Sequence, residues 1–226
     1  MSDITQNRPG AISRPDTRQE ATRGERPGAA ATGVEETGVP TFAEYDTRVV
    51  SIGAILFILA DLFYFASWWF AFFYLRARNE NNAWLIKGVT HPNRLFGGVV
   101  IALIVLSAIA FFVASRAERG GSGSLTLVGS IAFILGTIAV ILGVYQLWHL
   151  GFGMTDGGYP SVFVGLWGSI VVHVAGAMLW LLSILLQRGP ESDTELRPWS
   201  PQAFGRILTF IAAVSVISYL ILYFVV

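Results

Sequence analysis

The chain divides into a polar N-terminal stretch and five long apolar runs. A helix that crosses the roughly 30 Å hydrocarbon layer of a bilayer needs about 20 mostly apolar residues. Long apolar runs without two-residue alternation favour membrane helices over a β-barrel. The pattern predicts an all-α integral membrane protein, a bundle of five transmembrane helices within a domain at residues 47–226. The five runs lie at residues 49–75, 95–114, 125–150, 160–187 and 207–226.

Residues 1–46 form the polar stretch, in which proline, glycine and charged residues replace large apolar side chains. Such a segment cannot bury enough apolar surface to offset the entropy of ordering it. It has no apolar core of a secretory signal peptide, and its acidic residues argue against a mitochondrial transit peptide. We therefore expect a disordered cytoplasmic tail.

Composition agrees with a membrane protein and excludes several kinds of site. Of the 226 residues, 54% are hydrophobic and 13% are charged, whereas about a quarter of a soluble domain is charged. The chain has no cysteine, which excludes disulfides, thiolate metal sites and iron–sulfur clusters within it. The formal net charge is zero, so nothing indicates binding to nucleic acid.

Basic residues predict the orientation. With the N-terminus inside, eleven arginines lie on the cytoplasmic side and four basic residues on the other. Without the tail the ratio is six to four. Because cytoplasmic loops carry the excess of Lys and Arg, we expect a cytoplasmic N-terminus and a periplasmic or extracellular C-terminus.

Few polar groups lie inside the predicted spans. Asp61 is near the middle of the first and His173 near the middle of the fourth, while Gln146 and His149 are near the outer end of the third. An ionisable group at the bilayer centre costs about 2.5–3.5 kcal/mol on insertion scales, so it normally faces a partner or a cavity. The similar depth of Asp61 and His173 suggests that they are hydrogen-bonded or share a polar pocket. The alternative is two separately satisfied interior residues that serve packing alone.

The histidines are poorly placed to bind haem or a metal within this chain. At about 1.5 Å per residue, His173 lies roughly 20 Å deeper than His149, and His91 is in a predicted loop. Metal sites need clustered ligands. We expect neither haem nor metal here.

Small residues on the fourth span, including Gly165, Gly168 and Gly176, allow a neighbouring helix to approach closely.

Two segments resemble subunit III of the haem–copper oxidases, the cytochrome c and quinol oxidase family. In residues 146–179, QLWHLGFGMTDGGYPSVFVGLWGSIVVHVAGAML, the glutamine at a helix end and the Gly-Tyr-x-Ser-x-Phe lead-in are similar to the family. So are Gly168, His173, Val174 and Gly176 in the helix that follows. In residues 53–78, Asp61 stands where the family has glutamate, followed by Phe-rich sequence.

The chain also departs from the family pattern. Ile170 stands where the first histidine of a paired-histidine motif belongs, and the family's Trp-Pro-Pro loop is reduced to Trp84-Leu85-Ile86. The last span lacks the family's Trp-His-Phe-Val-Asp pattern. The chain therefore looks like a divergent member. Five spans are similar to the short form of the family, which lacks the first two of seven helices.

The resemblance implies an accessory subunit of a respiratory oxidase, in aerobic electron transport coupled to proton translocation. It implies no redox centre and no catalytic residue in this chain, since haem and copper lie in partner subunits I and II, and the complex can join a larger respiratory supercomplex. It also implies bound phospholipid, support of proton uptake, and a bacterial plasma membrane location. Asp61 and His173 would be groups near the lipid cleft and the neighbouring subunit.

Three other interpretations remain open from the sequence. The short form also includes the accessory subunit found beside nitric oxide reductases. A small transporter or proton channel could use Asp61 and His173, although the spans lack the broken helices and paired repeats typical of transporters. A self-sufficient membrane cytochrome would carry haem by itself.

Overall fold

The computed structural model describes residues 42–85, 88–119, 125–186 and 201–225. Over these residues the regular structure is helical, and all five long helices are long and apolar enough to cross a membrane. This confirms the predicted all-α membrane protein. The helices are α1 (Phe42–Arg78), α2 (Arg94–Arg119), α3 (Leu125–Trp148), α4 (Gly158–Leu186) and α5 (Pro201–Phe224), with a 3-10 turn at Glu80–Asn82.

The helix bounds differ from the apolar runs at several ends. Helix α1 begins at Phe42, inside the stretch predicted as tail, and α3 ends at Trp148 rather than at residue 150. Helix α5 begins at Pro201, before the apolar run at residue 207, because proline suits the first helical position, where its missing N–H costs nothing. Residues 1–41 of the predicted tail lie outside the described residues, as do the last residues of the fourth and fifth runs.

Helices α2, α3, α4 and α5 form a ring in which each packs against the next, and α5 closes the ring against α2. Helix α1 lies outside this ring, against α4 and α5. Only 17% of its apolar segment is buried, compared with 50% of that of α5. Helix α1 is therefore the peripheral helix, and it presents most of its apolar surface to its surroundings.

Hydrogen bonds join the helices inside this apolar packing. They are valuable because apolar burial alone does not distinguish a neighbouring helix from lipid. Helix α1 is tied to α5 and α2 to α3, and further bonds tie α4 to both α3 and α5. The bonds are Trp69 Nε1 to Ser218 Oγ at 3.0 Å, Ser107 Oγ to the Ala132 carbonyl at 2.7 Å, Trp167 Nε1 to the Gly143 carbonyl at 3.3 Å, and Tyr159 Oη to the Leu222 carbonyl at 3.1 Å.

The segment after α1 folds back over the start of α4. The backbone N–H groups of Gly158 and Tyr159 donate to the carbonyls of Ala83 and Trp84, both at 2.9 Å. The buried Trp84 ring meets Tyr159 edge-on, with centroids 5.8 Å apart. Because the first N–H groups of a helix have no partner within it, this segment caps α4 and fixes it beside α1.

Close approach of α4 to α1 depends on one glycine. A Cβ atom on Gly165 would lie 2.2 Å from the Cη2 atom of Trp68, whereas a Cβ on Gly168 or Gly176 would meet nothing within 4 Å. The predicted role of small residues in packing therefore applies to Gly165. Gly168 and Gly176 face open space in this chain.

Candidate functional site: an intramembrane aspartate–histidine pair

Asp61 of α1 and His173 of α4 face each other across the contact between these helices. The Nε2 atom of His173 lies 2.9 Å from Oδ1 of Asp61. Asp61 is buried, and the His173 side chain is 21% exposed, so the pair lies just beneath the surface of the bundle. The structure therefore brings together the two mid-span residues that the sequence suggested as partners.

The second nitrogen of His173 determines how many protons the pair holds. Nδ1 lies 2.6 Å from the carbonyl oxygen of Ser169, one turn earlier on α4. A carbonyl only accepts, so Nδ1 carries a hydrogen. The contact between Nε2 and Oδ1 then requires one further proton, because a neutral imidazole would present only a lone pair there.

That proton can lie on either partner. The pair is a neutral carboxylic acid beside a neutral imidazole, or a carboxylate beside an imidazolium. Both forms have zero net charge, which keeps the cost of an ionisable pair at this depth low. A proton can thus move between Oδ1 and Nε2 without a change in the charge of the bundle.

The Ser169 carbonyl of α4 and the Tyr64 and Phe65 rings of α1 hold the histidine in place. Ser169 Oγ donates to the Gly165 carbonyl at 2.7 Å, so Tyr64 Oη must be the donor in its 2.7 Å contact with Ser169 Oγ. The ring of Phe65 lies 5.1 Å from that of His173, centroid to centroid. The imidazole is therefore fixed by hydrogen bonds along α4 and by aromatic rings from α1.

One carboxyl oxygen of Asp61 makes no hydrogen bond within the described part of the chain. Its Oδ2 atom is buried and has no hydrogen-bond partner among the described residues. A buried acceptor without a partner costs free energy and is uncommon in native proteins. This atom is where a water molecule, a lipid group or a neighbouring side chain would complete the site.

Gln146 and His149 belong to a different part of the bundle. Gln146 is buried and its Nε2 donates to Tyr223 Oη of α5. His149 is exposed, its Nδ1 lies 2.9 Å from the Tyr145 carbonyl, and its ring stacks on Tyr145. Both residues line a small cavity of about 280 Å³ at this end of the bundle, together with His91. The structure does not bring them to the Asp61–His173 pair.

The sequence interpretation missed Tyr64 and Ser169 as members of the site. The signal was present as helical spacing, since Tyr64 follows Asp61 by three residues and Ser169 precedes His173 by four. Residues at these spacings share one face of a helix. Tyr223, the partner of Gln146, lies far away in sequence and had no such local signal.

Metal ligands are not clustered in the part of the chain that the structure describes. No group of three or more His, Asp or Glu side chains there could hold a metal ion. Asp61 and His173 form a two-residue pair, and His149 contacts its own helix.

Comparison with known proteins gives relatives that share one name. No protein-family model matches the chain. It is 25% identical over 182 residues to cytochrome c oxidase subunit 3 of Corynebacterium diphtheriae, covering 79% of this chain and 89% of that protein. It is 25% identical over 173 residues to cytochrome c oxidase subunit 3 of a Synechocystis species, covering 76% and 73%. A probable cytochrome c oxidase subunit 3 of Rickettsia bellii is 27% identical over 144 residues, covering 58% and 52%.

These matches extend over most of the chain, and the described part has the helices of a multi-pass membrane protein. The same family was indicated by residues 53–78 and 146–179, which contain Asp61 and His173. Fold and relatives together support subunit III of the haem–copper oxidases as the family of this chain.

Proposed function

We propose that the chain is the accessory subunit III of a respiratory haem–copper oxidase of the cytochrome c oxidase type. One observation carries the proposal: the similarity to a cytochrome c oxidase subunit 3 covers 79% of this chain and 89% of the relative. The five membrane-spanning helices support it. In this role the chain serves aerobic electron transport coupled to proton translocation.

The chemistry of oxygen reduction would then lie in other chains. Subunits I and II would hold haem and copper, and this chain would pack beside them and bind phospholipid. The peripheral position of α1 supports such packing, since large apolar side chains such as Phe63 and Phe70 are exposed on it. The complex would lie in a bacterial plasma membrane, with the N-terminus of this chain in the cytoplasm.

The Asp61–His173 pair would support proton uptake by the catalytic subunit. It holds one proton in the 2.9 Å contact between Oδ1 and Nε2, and that proton can move between the two atoms at constant net charge. The free Oδ2 atom of Asp61 is the position at which a proton could enter or leave the pair. Tyr64 and Ser169 act as positioning residues: the Ser169 carbonyl accepts from Nδ1 of His173, and the Tyr64 ring lies 5.6 Å from the imidazole, centroid to centroid.

Gentle detergent purification tests the assignment. A tagged chain should be recovered with a large membrane protein that gives a haem Soret band, and the preparation should consume oxygen with reduced cytochrome c or quinol. Recovery of the chain alone, colourless and monodisperse, would contradict the proposal. A Soret band in the chain alone would indicate a self-sufficient cytochrome instead.

Two activity measurements distinguish the alternatives. Oxygen consumption without nitric oxide consumption supports an oxidase partner, and the reverse supports a nitric oxide reductase partner. Proteoliposomes that contain only this chain should show no proton or solute flux. A flux abolished by Asp61→Asn would indicate a transporter or channel.

A further inference from the structure

A polar cavity of about 280 Å³ lies at the end of the bundle that holds the α1–α2 and α3–α4 connections. Two of the three histidines of the chain, His91 and His149, line it together with the buried Gln146. Both histidines are exposed to the surface. Neither Asp61 nor His173 lines this cavity, and the proposed function gives its residues no role.

His149 has the tautomer of a metal ligand. Its Nδ1 lies 2.9 Å from the Tyr145 carbonyl oxygen, which can only accept, so Nδ1 carries the hydrogen and the neutral ring has a lone pair on Nε2. A histidine that binds a metal typically donates its other N–H to a carbonyl or a carboxylate, which fixes the ring and its tautomer. Stacking on the Tyr145 ring, with centroids 4.0 Å apart, holds the imidazole further.

Gln146 supplies an oxygen to the same cavity. Its Nε2 donates to Tyr223 Oη, whereas its Oε1 is buried and has no hydrogen-bond partner among the described residues. The whole residue is only 6% exposed, and a buried acceptor of this kind is normally satisfied by some ligand. Three residues separate Gln146 from His149, so both lie on one helical face. The same spacing joins a glutamate and a histidine on the metals of helical-bundle proteins.

His91 brings a second imidazole from a different segment. It lies between α1 and α2, and its ring centroid is 5.5 Å from that of Tyr159. Tyr159 is itself fixed, since its hydroxyl donates to the Leu222 carbonyl at 3.1 Å. Two residues after His91, Asn93 Oδ1 accepts from the backbone N–H of Leu95 at 3.0 Å and so caps α2. The segment that carries His91 is therefore held on both sides.

The lining of this cavity favours a transition metal over other cations. It offers imidazole nitrogens and an amide oxygen, but no carboxylate from the part of the chain that the structure describes. Calcium and magnesium ions take oxygen ligands, carboxylates above all, whereas imidazole suits zinc, copper and nickel. The share of one water molecule in liquid water is about 30 Å³, so the cavity has room for an ion and several waters.

We propose that this cavity binds a divalent transition metal ion of the zinc class. Its protein ligands are Nε2 of His149, the imidazole of His91 and Oε1 of Gln146. Zinc sites with three protein ligands keep a further position for water. The set contains two histidines and no Asp or Glu, and is thus smaller than a group of three such side chains.

The sequence did not indicate this site because the partner of His149 is distant along the chain. The expectation of no metal compared the depths of His149 and His173, and it assigned His91 to a loop without a position in space. Only the fold places that loop beside the end of α3. The inference goes beyond the proposed function and is independent of the enzyme that the chain serves.

Chemical protection of the histidines in the detergent-solubilised complex tests the site. The complex is purified through a tag without histidine, freed of loosely bound metal by a chelator and treated with diethyl pyrocarbonate, which modifies accessible imidazoles. Mass spectrometry then measures the modification of each histidine. Zinc chloride should protect His91 and His149 over the same range of concentration, and magnesium chloride should protect neither. Protection of one histidine alone, or of neither, by zinc would overturn the proposal.

Single substitutions show whether the two histidines share one ion. In His91→Gln, protection of His149 should require at least about tenfold more zinc, since even loss of an outer partner of a metal ligand costs about 10–100-fold in affinity. His149→Gln should have the same effect on His91. Thr90→Val changes another residue of the lining but keeps all three ligands, and should behave as the wild type. Unchanged protection of His149 in His91→Gln would show two independent surface histidines and overturn the shared site.

Gln146→Glu tests the oxygen ligand without removing it. The Tyr223 hydroxyl can donate to the new carboxylate, and the added negative charge should bring half-protection at about tenfold lower zinc, because ligand charge tunes metal affinity. Zinc should also raise the thermal midpoint of this variant by more than that of the wild type. Gln202→Glu adds the same charge at the exposed start of α5, outside the cavity, and should leave the zinc dependence unchanged. An equal zinc dependence in Gln146→Glu and the wild type would contradict the proposed ligand set.

Discussion

Nε2 of His173 lies 2.9 Å from Oδ1 of Asp61, while Nδ1 of the same ring lies 2.6 Å from the Ser169 carbonyl. The first contact joins α4 to α1, and the second fixes which ring nitrogen carries a hydrogen. His173 therefore takes part both in the proton shared with Asp61 and in the packing of α4 against α1.

Removing one partner of the Asp61–His173 pair should lower the free energy of unfolding by more than removing both. His173→Leu leaves both oxygens of buried Asp61 without a partner, and Asp61→Leu leaves Nε2 without one, whereas replacement of both by apolar groups can be nearly neutral. A double-mutant cycle with Asp61→Leu and His173→Leu should give a coupling free energy of about 0.5–2 kcal/mol, measured by SDS unfolding. Strictly additive costs would show that the two residues are satisfied separately.

Asp61→Asn separates proton exchange from packing. The amide can donate to Nε2 of a neutral imidazole, so assembly and thermal stability should change little. It cannot exchange a proton with His173, so oxygen consumption in sustained turnover should fall and its pH profile should change. Full activity of the variant at every pH would rule out a protonation role. His173→Gln is a second variant for the same separation of proton exchange from packing. It is used only if its unfolding midpoint matches that of the wild type.

Gly165→Ala should push α1 away from α4. Its Cβ would lie 2.2 Å from an indole carbon of Trp68, and overpacking of this kind typically costs about 1–3 kcal/mol. We expect a lower unfolding midpoint than in the wild type. Gly168→Ala, where a Cβ meets nothing within 4 Å, is the control and should be close to neutral. If a smaller residue at Trp68 failed to rescue Gly165→Ala, the clash would not be the cause.

Tyr223→Phe should destabilise the bundle through Gln146. The substitution removes the hydroxyl that accepts from Gln146 Nε2, and Gln146 Oε1 already has no partner among the described residues. A buried amide left unsatisfied costs about 1–3 kcal/mol. Tyr219→Phe removes another hydroxyl of α5, one that donates to the Arg94 carbonyl in an exposed bond at 3.0 Å, and should cost less. Equal losses would argue against a special role for Gln146.

The orientation can be tested by cysteine labelling, because the chain has no cysteine of its own. Thr155 is exposed between α3 and α4, and Gln202 is exposed at the start of α5. In intact cells a membrane-impermeant maleimide should label Thr155→Cys, and should label Gln202→Cys only after permeabilisation. The opposite result would place the N-terminus outside.

The sequence determined the membrane-spanning helices, because backbone groups in hydrocarbon must be paired within the segment and apolar length alone then sets the span. It also identified Asp61 and His173, since ionisable groups at mid-span are costly and few. The helix ends were predicted less accurately: α1 begins at Phe42 and α5 at Pro201, because backbone hydrogen bonding can continue a helix beyond its apolar run.

Only the tertiary structure decided which helices touch. Depth in the membrane follows from position along a helix, but the facing direction depends on packing against neighbours distant in sequence. Packing joined Asp61 to His173 and Gln146 to Tyr223. It placed Gly165 against Trp68 and left open space beside Gly168. It also placed His91, which the sequence showed only as a loop residue, around the same cavity as Gln146 and His149.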